Sequence, residues 1–284
     1  MFERILVPTD GSEPASAALE YAGEIAARSA VTVHVLHVRE GDAGGDEATI
    51  DDLLEDDRSW AAEADAPVID EVRTGTPVES ILEFAAEQPI DAIVMGTRGR
   101  RGVGRLLLGS VTEDVVRDAD VPVLVVRAGD DVRRPCPIER VLVPTDGSSH
   151  ADAALERAIS LVEDLEGEAE GSVDCHVLSA IDVAPAEVSE GSDLRVDRLE
   201  THTETVVEDA VDRAEAAGVE VTSAVRYGSI YRSIRSYAVE NDVDLIVMGT
   251  HGRSGLDRLL LGSVTERVLR TAPVPVLTVT AAQD

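Results

Sequence analysis

No lysine occurs anywhere in the 284 residues, so all 25 basic side chains are arginines. A G-x-x-x-x-G-K-[ST] phosphate loop is therefore excluded, and with it the lysine-based machinery for cleaving nucleoside triphosphates. Aromatic residues make up only 2% of the chain, and Trp60, the single tryptophan, stands too isolated to build a stacking platform for single-stranded nucleic acid. The two cysteines, Cys136 and Cys175, form neither a C-x-x-C pair nor a zinc pattern, which argues against a disulfide framework or a metal site and fits a reducing compartment. No apolar run approaches the roughly 18 residues of a membrane span, and Phe2-Glu3-Arg4-Ile5-Leu6-Val7 enters a strand pattern at once. The expected location is the cytoplasm.

What is abundant is negative charge. Against the 25 arginines stand 56 Asp and Glu, a formal charge of −31. Bulk electrostatics of that sign repel DNA, RNA and anionic membranes, so neither nucleic acid nor membrane is an expected partner. The acids are spread along the chain rather than gathered in a tail. Their mutual repulsion is screened when the Debye length shrinks to about 3 Å at 1 M salt, which suggests a halophilic adaptation. An ordinary acidic cytosolic protein is the plainer alternative.

The chain also repeats itself. Arg4-Ile5-Leu6-Val7-Pro8-Thr9-Asp10-Gly11-Ser12 returns as Arg140-Val141-Leu142-Val143-Pro144-Thr145-Asp146-Gly147-Ser148, and Ile93-Val94-Met95-Gly96-Thr97 returns as Ile246-Val247-Met248-Gly249-Thr250. Leu106 to Glu113 returns as Leu259 to Glu266, and Val121 to Leu124 as Val274 to Leu277. The offset is 136 at Asp10/Asp146 and 153 at Gly96/Gly249, so the second copy carries 17 more residues, most of them expected around 182–207. Gly129 to Pro137, charged and bearing two prolines, reads as a short surface linker. The expected organisation is one domain over 1–128, a linker over 129–137 and a second domain over 138–284.

Within the first copy, apolar runs predict strands over 4–8, 31–38, 68–72, 92–95 and 123–126. Helical spacing, such as Ala15, Ala18, Leu19, Ala22 and Ile25, predicts helices over 12–28, 50–63, 77–87 and 110–117. Five strands alternating with helices imply an α/β domain with a parallel sheet and helices on both faces. In such sheets the ligand crevice lies at the carboxyl ends of the strands.

Several residues converge on that edge. The fourth strand runs into Gly96-x-x-Gly99, nine residues follow, and Gly109-Ser110 opens a helix; the second copy repeats this as Gly249-x-x-Gly252, nine residues, and Gly262-Ser263. Glycines admit close backbone approach, and a helix start offers unpaired N–H groups, so the natural guest is an anion. Ser110-x-x-Glu113 and Ser263-x-x-Glu266 also match a capping box, which would satisfy the helix start without a ligand. Asp10 and Asp146 end the first strands and either accept hydrogen bonds from a ribose or an amine, or form an Asx turn. Arg98 and His251 stand at equivalent loop positions, as phosphate contacts or as solvated side chains. Arg100, Arg101 and Arg105 make the first loop basic, whether for phosphate or for nearby acids. His34 and His176 share one strand position and read as packed or surface histidines rather than ligands.

The Val-Pro-Thr-Asp-Gly-Ser strand end together with Gly-x-x-Gly, nine residues and Gly-Ser resembles the ATP-binding branch of the universal stress proteins, over residues 2–127 and again about 138–281. The resemblance implies two tandem Rossmann-like domains of the adenine nucleotide alpha hydrolase-like kind, each holding ATP or another adenine nucleotide. It implies that Pro8, Thr9 and Asp10 with the backbone of Val38 meet the adenosine, that Met95 and Gly96 flank it, and that Gly99, Gly109, Ser110, Val111 and Thr112 surround the phosphates. In the second copy the same roles fall to Pro144, Thr145, Asp146, Ala180, Met248, Gly249, Gly252, Gly262, Ser263, Val264 and Thr265. Ala180 in place of Val38 is a departure, tolerable for a contact made through backbone.

It further implies an intrachain pseudo-dimer of the domains through the edge strands 121–126 and 274–279; homodimerisation stays open. The functional expectation is a nucleotide-binding regulatory or stress-resistance protein. Slow ATP hydrolysis or phosphate transfer with Mg²⁺ or Mn²⁺ is one alternative, and a pairing scaffold with vestigial sites is another.

Overall fold

Short runs of Ile, Val and Leu become buried strands in the computed structural model, which describes residues 2–29, 31–39, 67–99, 107–168, 172–182, 193–252 and 260–281. The helix expected over 50–63, Trp60, and the loop residues Arg100, Arg101 and Arg105 lie outside the described residues. The chain divides into two units, Phe2–Pro137 and Ile138–Asp284.

The first unit runs β1 (Arg4–Thr9), α1 (Glu13–Ala26), β2 (Thr32–Arg39), β3 (Val68–Thr74), α2 (Pro77–Glu87), β4 (Ala92–Gly96), α3 (Ser110–Asp118) and β5 (Val123–Val126). Its strands are all parallel, in the order β3-β2-β1-β4-β5. The direction of winding reverses between β1 and β4, which places a crevice at their carboxyl ends.

The register shows why both faces are covered. Leu6 lies opposite His34 on one side and Ile93 on the other, and the His34 ring meets Phe84 of α2 at 5.8 Å between centroids, so this row faces α2. Ile5, Val33 and Ala92 form the alternate row, and Gly96, two strand repeats beyond Ala92, meets Pro14 of α1 on that side. Both rows are buried and, His34 apart, apolar: Ile5, Leu6, Val33 and Ile93 are fully enclosed.

Local signals set the helix ends. Ser12 is the N-cap of α1 in extended conformation, its hydroxyl accepting from the Ala15 amide at 3.4 Å, and Pro14 sits in the first turn where its missing N–H costs nothing. Two amides at the start of β1, those of Glu3 and Arg4, both donate to Asp91 Oδ2 at 2.8 Å, fastening β1 to the entry of β4. The 129–137 stretch is held against α1: Tyr21 donates its hydroxyl proton to the Pro135 carbonyl at 3.0 Å, and Arg134 pairs with Glu20 at 3.7 Å.

The second unit repeats the plan with β6 (Arg140–Pro144), α4 (Ser149–Glu168), β7 (Asp174–Ile181), α5 (Asp193–Ala216), β8 (Val221–Tyr227), α6 (Ile230–Glu240), β9 (Leu245–Gly249), α7 (Ser263–Thr271) and β10 (Val276–Val279). Its strands are parallel in the order β10-β9-β6-β7-β8. Leu142, His176 and Ile246 form the row that faces α6, where His176 Nδ1 and the Tyr237 hydroxyl are 2.9 Å apart. Asp244 repeats the role of Asp91, accepting from the Glu139 and Arg140 amides at 2.9 Å. Of the polar stretch around 182–207, residues 193–207 belong to α5.

Candidate functional site

The crevice of the first unit is built from the loop after β1, the loop after β4 and the start of α3. Asp10 turns back on its own chain, its Oδ1 accepting from the Ser12 amide at 3.1 Å. That is the Asx turn, and it leaves Oδ2 directed at the second loop. A Cβ placed on Gly99 would lie 2.4 Å from this Oδ2, so the carboxylate rests against the bare α-carbon of the glycine. No larger residue would allow that approach.

The second loop is stitched shut at its base. The Gly109 amide donates to the Thr97 carbonyl at 2.7 Å, and the buried Thr112 hydroxyl donates to the Gly96 carbonyl at 2.9 Å. Gly109 is the N-cap of α3 in extended conformation (φ −72°, ψ 147°), and Ser110 is already the first helical residue. The capping-box reading is therefore corrected: the residue in the capping position has no side chain, and the serine sits one place too late to serve. The first main-chain bond of the helix runs from the Glu113 amide to the Gly109 carbonyl at 2.9 Å. Among the described residues, the amides of Ser110, Val111 and Thr112 have no capping side chain, and they form the positive end of the helix.

The second unit reproduces this arrangement. Asp146 Oδ1 accepts from the Ser148 amide at 3.0 Å, and a Cβ on Gly252 would meet Asp146 Oδ2 at 2.7 Å. Gly262 donates to the Thr250 carbonyl at 3.0 Å, Thr265 to the Gly249 carbonyl at 2.8 Å, and Gly262 is again an N-cap without a capping side chain ahead of Ser263, Val264 and Thr265.

Other expected residues fall around this frame. Pro8, buried, precedes the half-buried Thr9 that ends β1, and Pro144, half-buried, ends β6 before the buried Thr145. β1 pairs with β2 as far as Thr9 opposite His37, so the half-buried Val38 lies just beyond, opposite Arg73 of β3. Ala180 has the matching place, opposite Arg226. Met95 and Met248 are buried in the core. Gly96 and Gly249 serve packing directly: a Cβ there would lie 2.4 Å from the Pro14 carbonyl oxygen or 2.7 Å from the His150 backbone.

Arg98 and His251 divide the two sites. His251 donates from Nε2 to the Leu260 carbonyl at 2.8 Å, which leaves Nδ1 to accept from the Thr250 hydroxyl at 3.1 Å, and its ring lies 5.2 Å from that of His150. It ties one end of its loop to the other. Neither this latch nor the Ser179 hydroxyl bond to the Thr145 carbonyl at 2.9 Å was signalled by the sequence: the first depends on how the loop closes on itself, the second on a contact between the ends of neighbouring strands. His34 and His176 are buried, and burial lowers the pKa of each. Burial likewise pushes the Cys175 thiol up to about 11. No group of three His, Cys, Asp or Glu is arranged as metal ligands among the described residues, and no described helix is long and apolar enough to cross a membrane.

A parallel α/β unit whose crevice is closed by a Gly-x-x-Gly loop and an uncapped helix start, present twice in one chain, defines a tandem Rossmann-like protein. The chain belongs to the universal stress protein family, whose model matches residues 1–127 and again 137–280. A universal stress protein of Mycolicibacterium smegmatis is 28% identical over 310 residues, covering 97% of this chain and 96% of the relative. The crystal structure of a universal stress protein from Archaeoglobus fulgidus superposes with a TM-score of 0.70 at 28% identity, covering 99% of both chains. A universal stress protein solved in complex with cAMP is 31% identical over 44% of this chain, with a TM-score of 0.39.

Proposed function

We propose that each unit binds an adenine nucleotide, ATP foremost, and that the chain is a nucleotide-responsive regulatory or stress-resistance protein of the cytoplasm. The observation that carries this reading is the uncapped first turn of α3 and of α7, each opened by a glycine N-cap, together with Gly99 and Gly252 of the preceding loops, which rest against the strand-end carboxylates of Asp10 and Asp146. Three amides with no capping side chain among the described residues, and a helix dipole, favour a phosphate, and the glycine N-cap adds no side chain at the approach. Asp10 Oδ2 and Asp146 Oδ2 would accept from the ribose, the backbone at Val38 and Ala180 would meet the base, and Arg98 would add charge to the first phosphate site. Mg²⁺ or Mn²⁺ would enter with the phosphates and neutralise them. Binding is favoured over turnover, because the chain has no lysine and Oδ1 of Asp10 is occupied by the Ser12 amide.

The test is to purify the protein in high salt, denature it and identify any released small molecule by mass, then titrate ATP, ADP, AMP and cAMP while following unfolding. A ligand specific to the folded form adds about 2.7 kcal/mol of stability at 100 times its Kd. Gly109→Asp puts a side chain and a negative charge at the helix start, and is expected to abolish binding in the first unit while leaving the second intact. An unchanged melting temperature with every nucleotide and no released ligand would refute the reading in favour of vestigial sites. Turnover above about 1 s⁻¹ would make the protein an enzyme.

A further inference from the structure

Duplication lets each surface be compared with its own copy. α2 packs on α3 in the first unit and α6 on α7 in the second, and the offset of 153 matches them position by position. The first pair carries six carboxylates and one arginine, whereas the second carries four arginines and two glutamates. Glu79 is replaced by Arg232, Leu82 by Arg235 and Asp114 by Arg267. In a chain of formal charge −31, a helix pair with more arginines than acids runs against the whole composition.

These arginines are held in place without acidic partners among the described residues. Arg232, Arg235 and Arg267 are exposed, and none has a carboxylate partner among the described residues, unlike Arg226 and Arg270, which pair with Glu240 and Glu266. Arg232 and Arg267 both lie on Tyr231, their Cζ atoms 5.7 and 5.3 Å from the ring centroid, and Arg232 Nε donates to the Tyr231 hydroxyl at 3.0 Å. Such stacking orients a guanidinium while leaving its outer N–H groups open.

The opposite chemistry is on the first unit. Between α2 and the end of α3 lies a groove of about 50 Å³ lined mainly by apolar side chains, among them Leu82, Ala86 and Val121, together with Asp118 and Asp120. Asp120 and the neighbouring Glu83 are exposed and have no arginine partner among the described residues. An apolar trough beside a carboxylate suits an arginine, whose aliphatic stem lies along the trough while its head reaches the charge.

We infer that the α6–α7 face docks a second copy of this chain through that copy's α2–α3 face. The contact is heterologous, acid face to arginine face. Chains of this net charge repel at a distance, so the contact forms where salt screens the long range and spares the partly buried pairs.

Analytical ultracentrifugation of the full chain in about 1 M KCl, where the Debye length is about 3 Å, tests this. The expected result is a mass that rises with concentration. R232E/R235E/R267E and E79R/E83R/D120R should each weaken association by about tenfold or more. Mixing the two variants should restore it, because one then offers only acidic and the other only basic faces, and unchanged circular dichroism would show both folded. A chain that stays monomeric at every soluble concentration overturns the inference. So does association indifferent to both sets of substitutions, or an α6–α7 face that binds a polyanion such as heparin without self-association.

Discussion

His34 and His176 occupy one position of the duplicated strand, yet only one of them has a partner at Nδ1. In the second unit the Tyr237 hydroxyl lies 2.9 Å from His176 Nδ1, whereas in the first unit Phe84 stands at the equivalent place and His34 Nδ1 is buried with no partner among the described residues. The ring pairs are otherwise alike, with centroids 5.7 and 5.8 Å apart. A buried polar atom without a partner carries a desolvation penalty, while a satisfied one contributes modestly. Phe84→Tyr is therefore expected to stabilise the first unit by about 1 kcal/mol, and Tyr237→Phe to destabilise the second by about 1–3 kcal/mol. Denaturant midpoints of the two variants check this; opposite signs in either would show that the extra hydroxyl overpacks or that water already serves His34.

At the scale of elements, strands and helices were legible because burial on both faces leaves unbroken apolar runs, and one-sided burial leaves a helical stripe. α2 and β5 fall on the predicted residues, whereas α1 is shorter than the expected 12–28: Ser12 caps it from outside and its last helical residue is Ala26. The start of α3 was legible as a helix start but not in detail: S-x-x-E has the same letters whether the serine caps the helix or begins it, and only the extended backbone of Gly109 decides. The Gly-x-x-Gly loop was legible by its repetition, but the reason for its first glycine was not. That reason is long range, the seating of α1 against β4, and nothing near Gly96 in sequence announces Pro14. Gly96→Ala would put a Cβ 2.4 Å from the Pro14 carbonyl oxygen, which is backbone and cannot swing aside. The helix must shift, at a cost of about 1–3 kcal/mol as for other overpacked sites. Thermal unfolding measures it, and a wild-type midpoint would mean that α1 sits less firmly than described.

For the whole molecule the governing quantity is charge. If every one of the 25 arginines paired with a single acid, 31 of the 56 carboxylates would remain without a partner. The arginines are used sparingly and locally: Arg213 of α5 reaches both Asp152 and Glu156 of α4 at 2.9 and 2.7 Å, and Arg117 holds Asp114 and Asp118 at 2.7 Å. Such pairs fasten neighbouring groups but leave the net repulsion of the folded surface in place. Unfolding spreads the same charges apart, so their repulsion weighs against the folded state in dilute buffer. Added salt relieves that repulsion as the Debye length falls from about 10 Å at 0.1 M to about 3 Å at 1 M. The melting midpoint should therefore climb steeply with KCl up to about 1 M and then level off, because screening saturates over that range. A midpoint that is flat or falls across it would mean that the acids are borne without strain, and that the chain is an ordinary acidic protein rather than one fitted to salt.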